Sequence, residues 1–131
     1  MIDVKLLATI SETAGAPGFE NRIRNFIKEQ VAPYVDEVSI DAMGNLIALK
    51  KGKDSSKRAM VAAHLDEIGF IVTDIDKNGF VRFHTLGGFD PKTLTAQRVI
   101  LHGKKDLVGV MGSKPIHVMS PEDRNKPPKI S

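Results

Sequence analysis

The stretch VAAHLDEIGFIV, residues 61–72, decides how the rest of the chain is interpreted. Its apolar residues are typical of a buried strand, yet His64, Asp66 and Glu67 stand in the middle of the run. Titratable side chains are costly inside a protein unless they are paired or bind a metal. The stretch therefore contains either a surface turn or a functional site at the end of a strand.

The sequence before this stretch changes from helical to strand patterns. The spacing of apolar side chains predicts helices over residues 3–13 and 19–32. Strands are predicted over residues 35–40, 46–49 and 59–63. The last of these is a continuous apolar run, which is typical of a strand buried on both faces by helices. The pattern indicates an α/β fold that begins a mixed-sheet domain.

The sequence after His64 has a different pattern, with no helical period. Four short strands are predicted there, at residues 68–75, 80–86, 98–102 and 107–111. A half with helices and strands followed by a half with short antiparallel strands predicts two structural units. We place their boundary near Gly69. Residues 113–131 contain four prolines and are predicted to form a long loop.

Composition and charge exclude several classes of protein. The 131 residues contain no cysteine, so any metal would need His and carboxylate ligands. No apolar run approaches the roughly 20 residues of a membrane helix, and the N-terminus lacks the pattern of a signal peptide. The net charge of +3 comes from residues 103–131, which contain no aromatic side chain on which bases could stack. We expect a cytoplasmic protein whose partners include neither nucleic acid nor membrane.

The pair His64 and Asp66 is the candidate site. In extended backbone, residues two apart point to the same side, so ring and carboxylate can lie together where a strand ends. Asp66 could then orient the ring of a metal-binding histidine. A strand-end histidine beside a solvated aspartate explains the same spacing, and the spacing alone favours that interpretation. The other histidines have no acid at ligand spacing and are predicted to be structural or exposed: His84, His102 and His117.

Four ordered segments resemble a known family. They are TAGAPGFE at 13–20, DAMGN at 41–45, AAHLDEIGF at 62–70 and QRVILHGKKDLVGVMGSKPIHVM at 97–119. Together they resemble the glutamyl/deblocking aminopeptidase family of dinuclear metallopeptidases, which includes tetrahedral aminopeptidases and members labelled endoglucanase. The combination A-H-x-D-E-I-G with G-V-x-G-S-K-P is far more specific than H-x-D alone.

The resemblance implies both a fold and an activity. Residues 1–69 would begin an α/β zinc-peptidase domain, and residues 70–131 would form part of a small β-barrel-like dimerisation domain, through which homo-oligomers assemble. Two divalent metal ions, zinc or cobalt, would activate a water that removes N-terminal residues from peptide substrates. By position in the motif, His64 matches a metal ligand. Asp66 matches the catalytic acidic residue that supports this ligand.

The resemblance also implies that most of the catalytic residues are missing. In the family, the bridging Asp, a Glu general base and the other ligands come later in the chain. These 131 residues therefore resemble an N-terminal part, which we expect to be inactive alone. Two other functions remain open. The chain could be a non-catalytic β module that self-associates through strand edges after Gly69. Glycoside hydrolysis would need two carboxylates flanking the bond, whereas alternation places Asp66 and Glu67 on opposite faces.

Overall fold

The computed structural model describes residues 3–124 and 126. It divides into two compact units, Met1–Gly69 and Phe70–Ser131, called the first and second units below. Helices and a β-hairpin make up the first unit, whereas the second contains paired strands and short helical turns. The chain is therefore a mixed α/β protein, as the sequence predicts. The assignment of the units to a catalytic domain and a dimerisation domain stays a prediction.

Helix α1 (Val4–Glu12) begins at a side-chain cap. The Asp3 carboxylate accepts hydrogen bonds from the backbone N–H groups of Lys5 and Leu6, at 3.0 and 3.1 Å. Such a cap satisfies N–H groups that have no partner within the helix, and it stabilises a helix by roughly 1 kcal/mol. The Asp3 cap therefore explains why the helix begins where the sequence predicts.

Helix α2 (Asn21–Val31) supplies the core of the first unit. It ends in a 3-10 turn at Ala32–Tyr34, because Pro33 has no N–H to continue the helical hydrogen bonds. Ile23 is 2% exposed and, with Gly15, is one of only two buried residues in the part of the chain that the structure describes. A Cβ built on Gly15 would lie 2.7 Å from Cγ2 of Ile23. The loop before α2 therefore approaches the helix closely only because residue 15 has no side chain.

Strands β1 (Glu37–Ile40) and β2 (Leu46–Leu49) form an antiparallel hairpin, in which Ile40 pairs with Leu46. The Asp41 carboxylate accepts hydrogen bonds from the backbone N–H groups of the residues two and four positions further on. Asp76 accepts the same two bonds in the turn of the next hairpin, so both turns have the sequence D-x-x-G-x. Their glycines have φ values of +87° and +85°, which glycine adopts without steric cost.

Residues 59–63 do not form the buried strand that the sequence predicts. None of the described residues between Leu49 and Gly69 is in a strand, and Met60 and Val61 are 89% and 97% exposed. A strand is stable only when its backbone groups pair with a neighbour. The described strands form three separate two-stranded sheets, none of which includes this segment. The predictions of a buried strand and of a mixed sheet are therefore wrong for these residues.

Strands β3 (Gly69–Ile75), all but the first residue of which belong to the second unit, and β4 (Val81–Leu86) form the predicted hairpin. Its aromatic side chains pack together. The ring of Phe70 meets Phe83 edge to face with centroids 4.8 Å apart, and it stacks on Phe89 at 4.5 Å. These contacts attach the loop after β4 to the hairpin.

Strands β5 (Arg98–His102) and β6 (Asp106–Val110) form a second antiparallel pair, in the predicted positions to within a residue. Arg98 lies opposite Val110, and His102 lies opposite Asp106. The pairs β3–β4 and β5–β6 are separate sheets in the described residues, so no closed barrel is formed there. The β-barrel-like domain thus stays a prediction.

Short helical turns interrupt the second unit, where the sequence predicts only loops. They lie at Pro91–Leu94 (α3), Ile116–Val118 (a 3-10 turn) and Pro121–Arg124 (α4). Helices of three or four residues are too short to show a hydrophobic period, although the cap of α3 by Asp90 is a local signal. Residues 125 and 127–131 of the predicted loop lie outside the described residues. No described helix is both long and apolar enough to cross a membrane.

Candidate metal-binding site

Two segments that the sequence singles out lie side by side in the first unit. They are the AGAPG loop (residues 14–18) and the DEIG segment (residues 66–69). The backbone N–H of Glu67 donates to the carbonyl oxygen of Gly15 at 2.9 Å. A Cβ built on Gly69 would lie 2.7 Å from the Cβ of Ala16. The loop therefore fixes the backbone immediately after the candidate ligand, and the close approach of Gly69 to Ala16 requires glycine.

Glu20 connects the AGAPG loop to helix α2. Its Oε1 accepts a hydrogen bond from the backbone N–H of Gly18 at 2.6 Å, and its Oε2 lies 3.3 Å from an Arg24 guanidinium nitrogen one helical turn later. Gly18 has a φ of +83°, so the loop reverses direction at a residue without a Cβ. The loop is thereby held at both ends, by Glu20 on one side and by the DEIG segment on the other.

His64 and Asp66 form the pair that the sequence predicts. Nδ1 of His64 lies 2.8 Å from the carbonyl oxygen of Asp66 and 3.2 Å from its Oδ1. A carbonyl oxygen can only accept a hydrogen bond, so we infer that the ring proton is on Nδ1. In the neutral ring Nε2 then keeps its lone pair, and the His64 side chain is 85% exposed. The geometry leaves one nitrogen available to bind a metal, with the ring oriented by Asp66.

The position of this pair differs from the prediction in one respect. The sequence places it at the end of a buried strand, but the residues before it form no strand in the structure. The contacts that orient this region come from the AGAPG loop, through the hydrogen bond between Glu67 and Gly15. Sequence reasoning singled out the loop as part of the family-like segment TAGAPGFE but did not predict this contact, because nothing local in the loop indicates a partner about fifty residues away.

The described residues do not complete a metal centre. In residues 3–124 and 126, no group of three or more His, Asp or Glu side chains is placed so that it could hold a metal ion. A catalytic zinc usually has about three protein ligands. His64 therefore fits the role of one ligand, and a complete site would require donors from outside the described residues.

A second histidine–carboxylate pair lies in the second unit, and sequence reasoning missed it. Nδ1 of His102 is 3.0 Å from Oδ1 of Asp106, because the two residues face each other across the β5–β6 hairpin. The interpretation of His102 as a histidine without a nearby acid was therefore wrong. The signal was the three-residue turn, which sets a register that pairs these two positions.

Two pKa shifts in the first unit follow from local hydrogen bonds. The Asn45 side chain, and then its backbone N–H, hold the pKa of Asp41 below its ordinary value of 3.8. The hydrogen bond and charge of Glu37, whose Oε1 lies 2.7 Å from Nζ of Lys51, raise the pKa of that lysine above 10.5. Both pairs stabilise the β1–β2 hairpin and its flank, so the DAMGN motif has a structural role here.

These features define a mixed α/β protein that presents one candidate metal ligand. A family model described as M42 glutamyl aminopeptidase matches residues 44–131, well over half of the chain. The chain belongs to the M42 glutamyl aminopeptidase family, whose members are in general metallopeptidases.

Curated relatives agree with this assignment. The lysyl aminopeptidase of Pyrococcus furiosus is 41% identical over 120 residues, which are 90% of this chain and 34% of the relative. A putative aminopeptidase of Acetivibrio thermocellus is 48% identical over 106 residues, which are 81% of this chain and 31% of the relative. The chain therefore spans about a third of the length of these relatives.

This chain also matches about a third of the length of similar solved structures. A TET aminopeptidase from a marine-sediment Thaumarchaeota archaeon superposes with a TM-score of 0.85 at 40% identity, covering 93% of this chain and 34% of that one. An endoglucanase from Thermotoga maritima superposes with a TM-score of 0.75 at 43% identity, and the match covers 83% of this chain and 34% of that one. The TET1 peptidase of Pyrococcus horikoshii can assemble into a tetrahedron or a large octahedral shell. It superposes with a TM-score of 0.77 at 34% identity, and the match covers 93% of this chain and 36% of that one.

Proposed function

We propose that this chain is part of a metal-dependent aminopeptidase that removes N-terminal residues from peptides. The observation that carries the proposal is the exposed His64 ring, whose Nδ1 is occupied by Asp66 while Nε2 is open, in a chain of the M42 family. In this proposal Nε2 binds one ion of a zinc or cobalt pair. Such a pair, when bound, supplies Lewis-acid polarisation and lowers the pKa of a bound water.

Asp66 acts in this proposal as a positioning residue. Its carbonyl oxygen accepts the Nδ1 proton and its carboxylate lies close to the same nitrogen, so both groups favour the tautomer with a free Nε2. The AGAPG loop supports Asp66 in turn, through the neighbouring Glu67. The residues of this chain therefore orient a ligand, while the remaining ligands and the general base come from elsewhere.

The cellular context and assembly are also proposals. The Pyrococcus horikoshii relative assembles into closed shells. We propose that the protein containing this chain is likewise a homo-oligomer, that its second unit contributes to the contacts between copies, and that it acts on peptides in the cytoplasm. Sedimentation of the protein that contains this chain, at several concentrations, measures its oligomeric state directly.

A chimera tests the activity. Residues 1–131 replace the matching third of the Acetivibrio thermocellus relative, which is 48% identical to this chain over 106 residues. We expect the chimera to hydrolyse aminoacyl p-nitroanilides with zinc or cobalt, and His64→Gln to lower kcat at least a hundredfold, because one ion loses a ligand. The isolated 131-residue chain is expected to show no turnover.

His102→Gln is the matched control. His102 is also an exposed histidine with Nδ1 close to an Asp carboxylate, but it lies in the second unit. We expect this variant to retain activity within about threefold, because surface substitutions usually change stability by no more than about 0.5 kcal/mol. Equal losses in the two variants would contradict the assignment of His64 as a ligand.

The two alternative functions are not favoured by the comparisons. The curated relatives described above are named as an aminopeptidase and a putative aminopeptidase, which is against a purely structural β module. The endoglucanase name belongs to the Thermotoga maritima structure. Release of reducing sugar by the chimera, persisting in the presence of a chelator, would favour glycoside hydrolysis instead.

A further inference from the structure

Glu20 lies between the AGAPG loop and helix α2, and its two carboxylate oxygens have different partners. Oε1 accepts a hydrogen bond from the backbone N–H of Gly18 at 2.6 Å, whereas Oε2 pairs with the Arg24 guanidinium group at 3.3 Å. The Glu20 side chain is 22% exposed, so most of it is removed from water. A carboxylate in such a position costs free energy unless its oxygens keep their partners. One side chain therefore connects the conformation of the loop to the helix.

The neighbours of Arg24 hold it against Glu20. Oδ1 of Asn21 accepts a hydrogen bond from Nη1 of Arg24 at 2.7 Å. Gly44, in the β1–β2 turn, lies against the same guanidinium group, because a Cβ built on Gly44 would be 2.8 Å from Nη2. The buried Nε of Arg24 has no hydrogen-bond partner among the described residues. An unsatisfied buried nitrogen lowers stability, so the placement of Arg24 is better explained by its hold on Glu20.

The AGAPG loop acts on the candidate ligand through a single peptide unit, the one between Asp66 and Glu67. The N–H and C=O groups of a planar trans peptide point in opposite directions. Here the Glu67 N–H donates to the carbonyl oxygen of Gly15 at 2.9 Å, and the Asp66 C=O lies 2.8 Å from Nδ1 of His64. Rotation of this peptide would break both contacts at once. The loop therefore aims the carbonyl oxygen that orients the His64 ring.

We propose that Glu20 is a positioning residue for the metal ligand His64. By accepting the Gly18 N–H, Glu20 keeps the AGAPG loop in the conformation that fixes the peptide between Asp66 and Glu67. Outer partners of a metal ligand change metal affinity or activity by about ten- to a hundredfold. Glu20 touches neither the metal nor the ring, so we expect the lower end of that range. The inference rests on the proposed metal-dependent function.

Zinc binding by the chimera with the Acetivibrio thermocellus relative tests this role without peptide hydrolysis. We expect Glu20→Ala to weaken zinc binding by about tenfold in calorimetry, because the released loop no longer fixes the ligand. In the zinc-free chimera, amide exchange of Glu67 should accelerate at least tenfold, since its N–H loses the fixed acceptor on Gly15. Circular dichroism and thermal unfolding verify that the variant is folded. Unchanged zinc affinity or unchanged protection of Glu67 would overturn the proposal.

Two further variants separate positioning from charge and from general stability. Glu20→Gln keeps an oxygen that can accept the Gly18 N–H but loses the charge, so it should restore zinc affinity to within about threefold of the unsubstituted chimera. Glu29→Ala removes the same charge from an exposed position of helix α2 and should change zinc affinity less than about twofold. A loss in either variant equal to that in Glu20→Ala would contradict the positioning role.

The outcomes for Glu20 and for the peptidase function can differ. If zinc affinity follows the expected order but the unsubstituted chimera hydrolyses no peptide, the role of Glu20 is supported and the proposed peptidase function is contradicted. If the unsubstituted chimera is active and Glu20→Ala binds zinc as tightly as Glu29→Ala does, the peptidase function is supported and the role of Glu20 is wrong.

Discussion

At the scale of single residues, Gly15 allows one of the close approaches within the first unit. A Cβ there would lie 2.7 Å from Cγ2 of Ile23, a branched side chain that cannot move aside easily. We expect Gly15→Ala to lower the free energy of unfolding by about 1–3 kcal/mol, the usual cost of overpacking. Urea unfolding followed by circular dichroism measures this change.

The control for Gly15 is Gly52→Ala. The nearest atom to a Cβ on Gly52 is the carbonyl oxygen of Asp54 at 3.9 Å, which is an ordinary contact. We therefore expect no loss of stability from that variant. Equal stability of the two variants would show that the AGAPG loop can shift without cost.

Two other glycines differ only in their surroundings. Gly44 and Gly79 occupy the same position in two D-x-x-G-x turns, with φ near +85°. An alanine at a left-handed φ costs about 1–2 kcal/mol, so Gly79→Ala, with nothing within 4 Å, should show this cost alone. Gly44→Ala should cost somewhat more, because its Cβ would lie 2.8 Å from an Arg24 guanidinium nitrogen. Urea unfolding measures the free energy of unfolding of both variants. A Gly79→Ala variant as stable as the unsubstituted chain would contradict the cost assigned to its left-handed φ.

These residues show what the sequence can and cannot predict at this scale. The positive φ of Gly44 follows from a local turn pattern, so it is predictable. The need for glycine at position 15 depends on Ile23, whose side chain meets this position only when the loop packs against helix α2. The tautomer of His64 likewise depends on where the carbonyl oxygen of Asp66 points, which the spacing H-x-D does not specify.

At the scale of elements, the β1–β2 hairpin has a built-in pH dependence. The pKa of Asp41 is held below 3.8 by Asn45, so its contribution to stability is fully present above 3.8 and is lost as the pH falls through the lowered pKa. We expect the protection of the Met43 and Asn45 amides, measured against their intrinsic exchange at the same pH, to fall below that pH. NMR titration of the Asp41 carboxyl measures the pKa itself.

Asn45→Ala identifies the cause of this shift. The variant removes the 2.8 Å hydrogen bond from Nδ2 to Oδ2 of Asp41 and keeps the backbone bond. We expect the pKa of Asp41 to rise towards its ordinary value and the loss of the hairpin to begin at a higher pH. An unchanged pKa in Asn45→Ala would assign the shift to the backbone instead.

Elements were predictable where their causes are local. Helices α1 and α2 follow from apolar spacing, the Asp3 cap and Pro33, and the hairpins follow from their turns. The conformation of residues 59–63 was not predictable, because a strand forms only beside a pairing strand and the described residues provide none for this segment. The His102–Asp106 pair was missed for the same reason, since cross-strand register is not visible in a single strand.

At the scale of the whole molecule, metal binding and completion of the fold are expected to be coupled. The described residues offer one candidate ligand, so the isolated chain should bind zinc only weakly. If the remaining ligands lie on further polypeptide of the M42 fold, that polypeptide and zinc stabilise the same state. Linkage then requires that each raises the affinity of the other by the same factor.

Calorimetry of the four binding steps tests this coupling. The partner is the part of the Acetivibrio thermocellus relative that lies outside the match. We expect zinc to tighten the association of the chain with this partner at least tenfold, and the partner to tighten zinc binding equally. His64→Gln should abolish the coupling while leaving the metal-free association unchanged, because the substitution removes only a metal ligand. An association that zinc does not affect in the unsubstituted chain would place the metal site away from the join between the two polypeptides and would contradict the role assigned to His64.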